Sequence, residues 1–363
     1  MRILVVNSGS SSLKLRVLDG DRVVAAEDLP AVDEIDEGSL SEVLGAFGDV
    51  DAAGHRIVHG GESFTDAVLI DDAVEASLRD LADLAPLHQP KSLEALDLVR
   101  AVLPGVKAVA CFDTAFHATM PPAAFTYAVP RDWRQRYAVR RYGFHGLSHS
   151  YAVRRAGELS GEDPARLRIV TCHLGAGASL AAARGGISVD TTMGFTPLDG
   201  LVMATRSGSV DPGLVLWLQS HEGISGREVA EALEHLSGLL ALAGTPDMRE
   251  ILARAGRGDP GSALALDVYV HRLAGSIAAM AAAAGGLDVL VFTGGVGENA
   301  PEVRARACGR LRFLGVALDP AANEEALPDA EVGSRKAAVR TFVVEAREDL
   351  EIASQVRRVL GPT

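Results

Sequence analysis

Several short stretches carry polar side chains that a plain apolar core would exclude. GHRIVHGGESF sets Arg56 between two histidines and ahead of a glycine pair. CFDTAFH ends an apolar run on Asp113, YGFHGLSHS carries His145 and His149, MGFTPLDGLVMATRSGSVDPG carries Arg206, and AREDLEIA carries Glu348. Singly, each has an ordinary reading: an arginine is a routine ion-pair partner and Asp113 a helix cap. His145 and His149, at i and i+4, would hold a metal only on one face of a helix. Gly146 argues against a stable helix there and no third ligand is in view, so zinc is set aside. The signal lies in the joint occurrence of these groups and in their order.

Two further stretches suit a phosphate. ILVVNSGSSSLKLRVLDG is an apolar strand, a loop from Asn7 to Ser12, and a second, half-exposed strand. The loop is either a phosphate cradle or a tight turn. It is not a Walker A loop, which has different spacing and runs into a helix. LRIVTCHLGAGASLAAARGG repeats the pattern from residue 167. A recurring hairpin implies two similar domains, whose loops could grip a polyphosphate from both sides. LDVLVFTGGVGENAPEVRARACGRL reads as strand, Gly-rich turn and helix, with Pro301 in the first helical turn. A turn of that kind is a natural nucleotide site.

The elements that must position these groups alternate. AVEASLRDLADLAP and KSLEALDLVRAVLPG read as helices, and VKAVACFDTAFH begins as a buried strand. SALALDVYVHRLAGSIAAMAAAAGG is a long helix closed by Gly285 and Gly286. PDAEVGSRKAAVR reads as an exposed loop, TFVV as a strand and DLEIASQVRRVL as a terminal helix. Alternating strands and helices make an α/β protein. The length of 363 residues suits two domains. With 48% hydrophobic and 23% charged residues, a full core is available and wholesale disorder is not expected. The net charge of −13 disfavours nucleic acid and anionic membranes, while a local arginine cluster still admits a small anion. Cys111, Cys172 and Cys308 are scattered through apolar runs, as buried thiols are in a reducing compartment. The N-terminus lacks a signal-peptide pattern, and a cytoplasmic location is expected.

In order, NSGSSSLK, GHRIVHGGE, LAPLH, FDTAFH, YGFHGLSH, CHLGAGAS, MGFTPLDGL, TRSGSVDPG, SGLLALAGTPDMRE and FTGGVGEN resemble the acetate kinase family over nearly the whole chain. The resemblance implies two duplicated ribonuclease-H-like domains with the active site in the cleft between them. The boundaries expected are 1–115 plus 351–363 for the first and 116–350 for the second, nucleotide-binding domain. It implies a homodimer and transfer of a phosphoryl group from ATP to acetate or another short carboxylic acid, with Mg²⁺ (or Mn²⁺) and ADP as product. An ionised carboxylate needs no general base, since its reference pKa is ~4. The difficulty is electrostatic, and cations with fixed donors answer it.

Carried over by position, the resemblance implies that Arg56 and Arg206 hold the carboxylate and neutralise the phosphoryl oxygens, and that His145 hydrogen-bonds them. Asp113 and Glu348 orient substrate and metal, with Asn7 nearby. Ser10, Ser12 and Lys14 line the phosphate path, and His173, Gly175 and Gly177 form the second phosphate loop. Asp247, Met248 and Arg249, with Gly295, Val296 and Asn299, surround the adenosine. Val58, Leu87, Phe144 and Pro197 form a small apolar pocket for the acyl group. The chain departs from the family pattern at Ala176 and Ala178, where Asn and Ser are usual, at Arg347, where Asn is usual, and in a short stretch between Lys14 and Gly54. The alternatives are a propionate kinase with the same machinery and a catalytically silent nucleotide-binding protein.

Overall fold

The computed structural model describes residues 1–9, 12–84 and 89–361, with the backbone alone at 83 and 84. The chain divides into two compact units. Unit 1 comprises Met1–Ala118, Phe144–Tyr151 and Arg347–Thr363, and unit 2 comprises Thr119–Gly143 and Ala152–Ala346.

Unit 1 holds a six-stranded sheet made of β1 (Arg2–Ser8), β2 (Leu13–Asp19), β3 (Arg22–Leu29), β4 (Ala52–Ile57), β5 (Val68–Leu69) and β6 (Lys107–Phe112). Its spatial order is β3-β2-β1-β4-β6-β5. Strands β1, β4 and β6 run parallel, and β2, β3 and β5 are antiparallel to their neighbours. The central strands are apolar on both faces, as strands covered by helices must be. Ile3 and Val5 pack with Ile352, Ala353 and Val356 of the C-terminal helix Glu348–Leu360. Leu4 and Val6 face Leu40 and Leu44 of helix Glu37–Phe47 and Ala95 and Val99 of helix Gln89–Val102. At Gly54 on β4, an added Cβ would lie 2.5 Å from the Ile352 side chain and 2.7 Å from that of Val356. The C-terminal helix therefore lies directly on the sheet, which fixes the height of Glu348 at its first turn.

Unit 2 repeats the plan with β7 (Arg168–Leu174), β8 (Ala178–Arg184), β9 (Ile187–Thr191), β10 (Val289–Thr293), β11 (Ala330–Glu331) and β12 (Arg340–Val343). The order is β11-β12-β10-β7-β8-β9, with β7, β10 and β12 parallel. The long helix Pro260–Ala284 packs on this sheet and ends on Gly285 at φ 76°.

Three readings change. The turn expected at Gly294–Asn299 is itself a short helix, followed by helix Pro301–Arg310. The loop expected at 328–340 contains β11 and buries Val332 and Val339. A helix does form over Gly146–Ser160, and it begins at the glycine that argued against it. Phe144–Tyr151 belongs to unit 1, where Leu147 is part of the core.

Candidate active site

In an open α/β sheet, groups at the carboxyl ends of parallel strands converge. In unit 1 those ends carry Asn7 on β1, Arg56 on β4 and Asp113 just past β6. Register does the rest: Val6 pairs with His55, and Arg56 with Cys111. The Asp113 backbone N–H donates to Ile57 O at 3.0 Å, continuing the ladder past the strand.

The result is a continuous chain of polar contacts. Arg56 Nη2 and Nε donate to Asp113 Oδ2 at 2.6 and 3.1 Å, and Nε lies 3.2 Å from Oδ1. Arg56 Nη1 donates to Asn7 Oδ1 at 3.1 Å. Asn7 Nδ2 donates in turn to Glu348 Oε2 at 2.8 Å. Asp113 is 1% exposed and Arg56 17%. Burial works against the Arg56 charge, but the Asp113 and Glu348 carboxylates outweigh it and raise the guanidinium pKa. Burial likewise raises Asp113, with Arg56 pulling it back. The forked bonds hold Asp113 as the carboxylate and lock Arg56 in one orientation.

Glu348 opens its helix behind Arg347, which forks onto Asp349 at 2.9 and 2.8 Å and gives no side-chain cap. With Arg347 turned to Asp349, Glu348 is bonded to Asn7. Among the described residues, no group of three or more His, Cys, Asp or Glu gathers as a metal site. A nucleotide-bound Mg²⁺ needs less, since one or two carboxylates suffice when phosphates and waters complete its shell. Glu348 supplies a carboxylate, and the Asn7 amide oxygen keeps a second lone pair beyond the one used by Arg56. The donor set fits such an ion.

His145 directly precedes helix Gly146–Ser160 and has φ 58°, a left-handed conformation that costs a non-glycine residue ~1–3 kcal/mol. Val58 and Phe144 are buried in the same unit, as an apolar pocket requires. Lys14 is exposed and paired in register with Asn7, and Ser12 O accepts from the Gly9 N–H at 2.9 Å. Ser10 and Leu87 lie outside the described residues.

The remaining expected residues belong to unit 2. His173 is the penultimate residue of β7, and the Gly175 N–H donates to Gly177 O at 2.9 Å in a tight turn before β8. The Ala176 carbonyl accepts from the Ala204 N–H at 3.1 Å. Arg206 Nη1 donates to Pro197 O at 3.2 Å, and its Nε lies 3.4 Å from Glu234 Oε2. Gly295 and Asn299 are exposed on the short helix after β10, with Val296 half-buried. Asp247 caps helix Met248–Gly256 and forks with Arg249, whose hydrogen bonds lower the Asp247 carboxyl to about 2.

Sequence reasoning missed three supports. Glu234 pairs with Arg206, but nothing in its local sequence sets it apart. Glu298 Oε1 accepts from the Gly294 N–H at 2.8 Å and the Ala346 N–H at 3.0 Å, tying two strand ends together. Arg304, 1% exposed, donates to Gly297 O, Glu298 O and Asn323, bracing the Gly-rich helix from behind. No local signal marks Arg304, because its helix also carries Glu302, Arg306 and Arg310.

Two sheets of one plan, each with polar or glycine turns at the ends of its parallel strands, define a duplicated α/β protein of the phosphate-handling kind. The Acetokinase family model matches residues 31–354. The chain is 42% identical to the acetate kinase of Thermotoga maritima over 398 aligned residues, covering 99% of each. It is 46% identical to that of Gloeobacter violaceus over 317 residues, 87% of this chain and 78% of that one. Porphyromonas gingivalis acetate kinase superposes with a TM-score of 0.92 at 36% identity, covering 99% of this chain and 100% of that one. A propionate kinase from Francisella tularensis superposes at 0.90 and 33% identity, covering 98% of each. The chain belongs to the acetokinase family.

Proposed function

We infer that this protein catalyses reversible phosphoryl transfer between ATP and acetate, giving acetyl phosphate and ADP. The observation that carries the reading is the Glu348–Asn7–Arg56–Asp113 chain in a member of this family. It fits an anion acceptor and does not fit a hydroxyl acceptor. A sugar hydroxyl wants a free carboxylate base, whereas Asp113 is committed to Arg56. An acetate ion is already charged near pH 7. Its carboxylate approaches the guanidinium that Asp113 and Asn7 hold in place.

Arg206 and His145 meet the transferring phosphoryl oxygens, and electrostatic stabilisation there is the main catalytic term. Glu348 and Asn7 would hold Mg²⁺ or Mn²⁺, which when bound would supply positive charge against the nucleotide phosphates. The turns at Gly175–Gly177 and Gly295–Asn299 receive phosphate and adenosine through backbone N–H groups, together with Asp247, Met248 and Arg249. Ser10, Ser12 and Lys14 line the phosphate path. Val58, Leu87, Phe144 and Pro197 enclose the acyl methyl. Residues 1–115 with 351–363, and residues 116–350, are proposed as the two ribonuclease-H-like halves.

A homodimer is supported by helix Pro212–His221 of unit 2, where Leu214, Leu216 and Trp217 are exposed together. Sedimentation of the purified protein tests it. Three buried, unpaired cysteines support a cytoplasmic location. No helix among the described residues is long and apolar enough to cross a membrane.

The test is acyl-phosphate trapping by hydroxylamine with ATP and Mg²⁺ across acetate, propionate and butyrate. Product strongest with acetate and falling with chain length supports the reading. Product strongest with propionate moves the substrate by one methylene, and no product from any acid overturns the reading.

A further inference from the structure

FDTAFH supplies Asp113 to the site, but the proposed mechanism leaves its histidine unused. His117 is fully buried in the turn Ala115–Thr119. Its Nε2 lies 3.1 Å from the carbonyl oxygen of Phe144. A carbonyl only accepts, so Nε2 carries the proton and donates. Phe144 is the residue before His145, so this bond holds the peptide plane on the N-terminal side of the left-handed residue.

The other side is held as well. The His149 N–H donates to His145 O at 2.9 Å, and the Gly146 N–H donates to Asp113 O at 2.8 Å. The approach at Gly146 is so close that a Cβ there would lie 2.2 Å from Asp113 O. The His117 ring also stands edge-on to His149, with centroids 5.6 Å apart at 65°. Of these three hydrogen bonds, the one from His117 is the only one a side-chain substitution can delete. A strained residue persists only where its surroundings over-determine it.

We propose that His117 is a positioning residue, which holds the Phe144–His145 peptide so that His145 keeps the left-handed conformation its catalytic role requires. The proposal rests on reading His145 as a group that meets the phosphoryl oxygens. His117 touches no reacting atom, and its effect passes through His145.

The experiment compares His117→Met, which lacks the donor, with His117→Gln, which keeps an N–H, each alone and in a His145→Ala background. His117→Met lowers kcat about 10–100-fold with both KM values within about 3-fold, as a misplaced catalytic group does. His117→Gln recovers to within about 5-fold, because its amide can donate to the same carbonyl. In the His145→Ala background, His117→Met produces no further loss, since the two act as one unit. The proposal is overturned if His117→Met turns over normally, if Gln and Met fall alike, or if the losses multiply in the double variant. Should His117→Met not fold, His117→Gln decides alone: near wild-type kcat supports the proposal, and a fall as deep as His145→Ala overturns it. Wild-type turnover in His145→Ala overturns the site reading itself, whereas an inactive His145→Ala beside a normal His117→Met overturns only the role of His117.

Discussion

The two units share one strand plan and end their parallel strands differently. In unit 1, the ends of β1, β4 and β6 carry Asn7, Arg56 and Asp113, joined by side-chain hydrogen bonds. In unit 2, β7 leads to the Gly175–Gly177 turn and β10 to Gly294 at φ 79°, with an added Cβ there 3.0 Å from Leu174 backbone atoms. One copy presents charged side chains and the other presents backbone. Side chains can place a cation and its partner at one point, as an anionic acceptor requires. Bare backbone allows close approach of a bulky phosphate chain. The duplicated framework sets where functional groups emerge, and the residue types at the strand ends decide what they do.

The largest test of this contrast sets Arg56→Ala against Arg206→Ala. Each lowers kcat about 10³-fold, the scale for losing a guanidinium on a transferring phosphoryl group. Only Arg56→Ala strands a fully buried carboxylate, so it also destabilises the fold by ~3–5 kcal/mol in chemical denaturation. Arg206→Ala leaves Glu234 in a more open setting and changes stability less. Near-normal turnover in Arg206→Ala removes unit 2 from the chemistry.

Next comes acid. On β4, neither ring nitrogen of His55 has a hydrogen-bond partner among the described residues, and burial lowers its pKa to about 3. Burial lowers His59 to about 4, and its Nδ1 accepts from the Gly61 N–H at 2.8 Å. The unfolded chain protonates both near ~6.5 and therefore binds more protons than the folded one below that pH. The stability these neutral rings contribute is fully present above ~6.5 and is lost as pH falls toward the folded values. At pH 5 each accounts for ~2 kcal/mol of loss. His55→Leu removes about half of that acid sensitivity, measured as unfolding free energy against pH. An unchanged slope contradicts the burial argument.

Gly54→Ala probes how tightly the C-terminal helix sits on the sheet. Overpacking there destabilises by ~1–3 kcal/mol and moves Glu348 outward. Weakened Mg²⁺ dependence alongside a lower Tm ties the helix height to the metal corner, and a change in Tm alone separates them. The smallest effect is in specificity. Val58→Ala enlarges the acyl pocket and shifts the propionate-to-acetate ratio of kcat/KM upward, by ~1–3 kcal/mol at most for one methylene. A constant ratio takes Val58 out of the pocket.

Much was legible in the sequence. The two strand–loop–strand stretches were visible because apolar periodicity and small-residue turns are local signals, and both hairpins form as read. Arg56, Asp113 and Glu348 stood out because charged groups at strand ends and helix starts break an apolar pattern. The helix at Gly146 did not read correctly. Local propensity counts glycine against a helix, whereas here a tertiary contact with Asp113 O requires glycine.

By itself, the sequence determined the duplicated α/β plan, the residue types at the strand ends and the family resemblance. All of these follow from short-range pattern and motif order. Only the tertiary structure decided that Asn7 bridges Arg56 to Glu348, a residue 341 positions beyond Asn7 in the chain, that Asp113 orients an arginine, and that His117 bonds the Phe144 carbonyl next to His145. The reason is physical: side-chain partners are chosen by which strands lie adjacent and how closely a helix lies on them, and that register is set by the packing of the whole core.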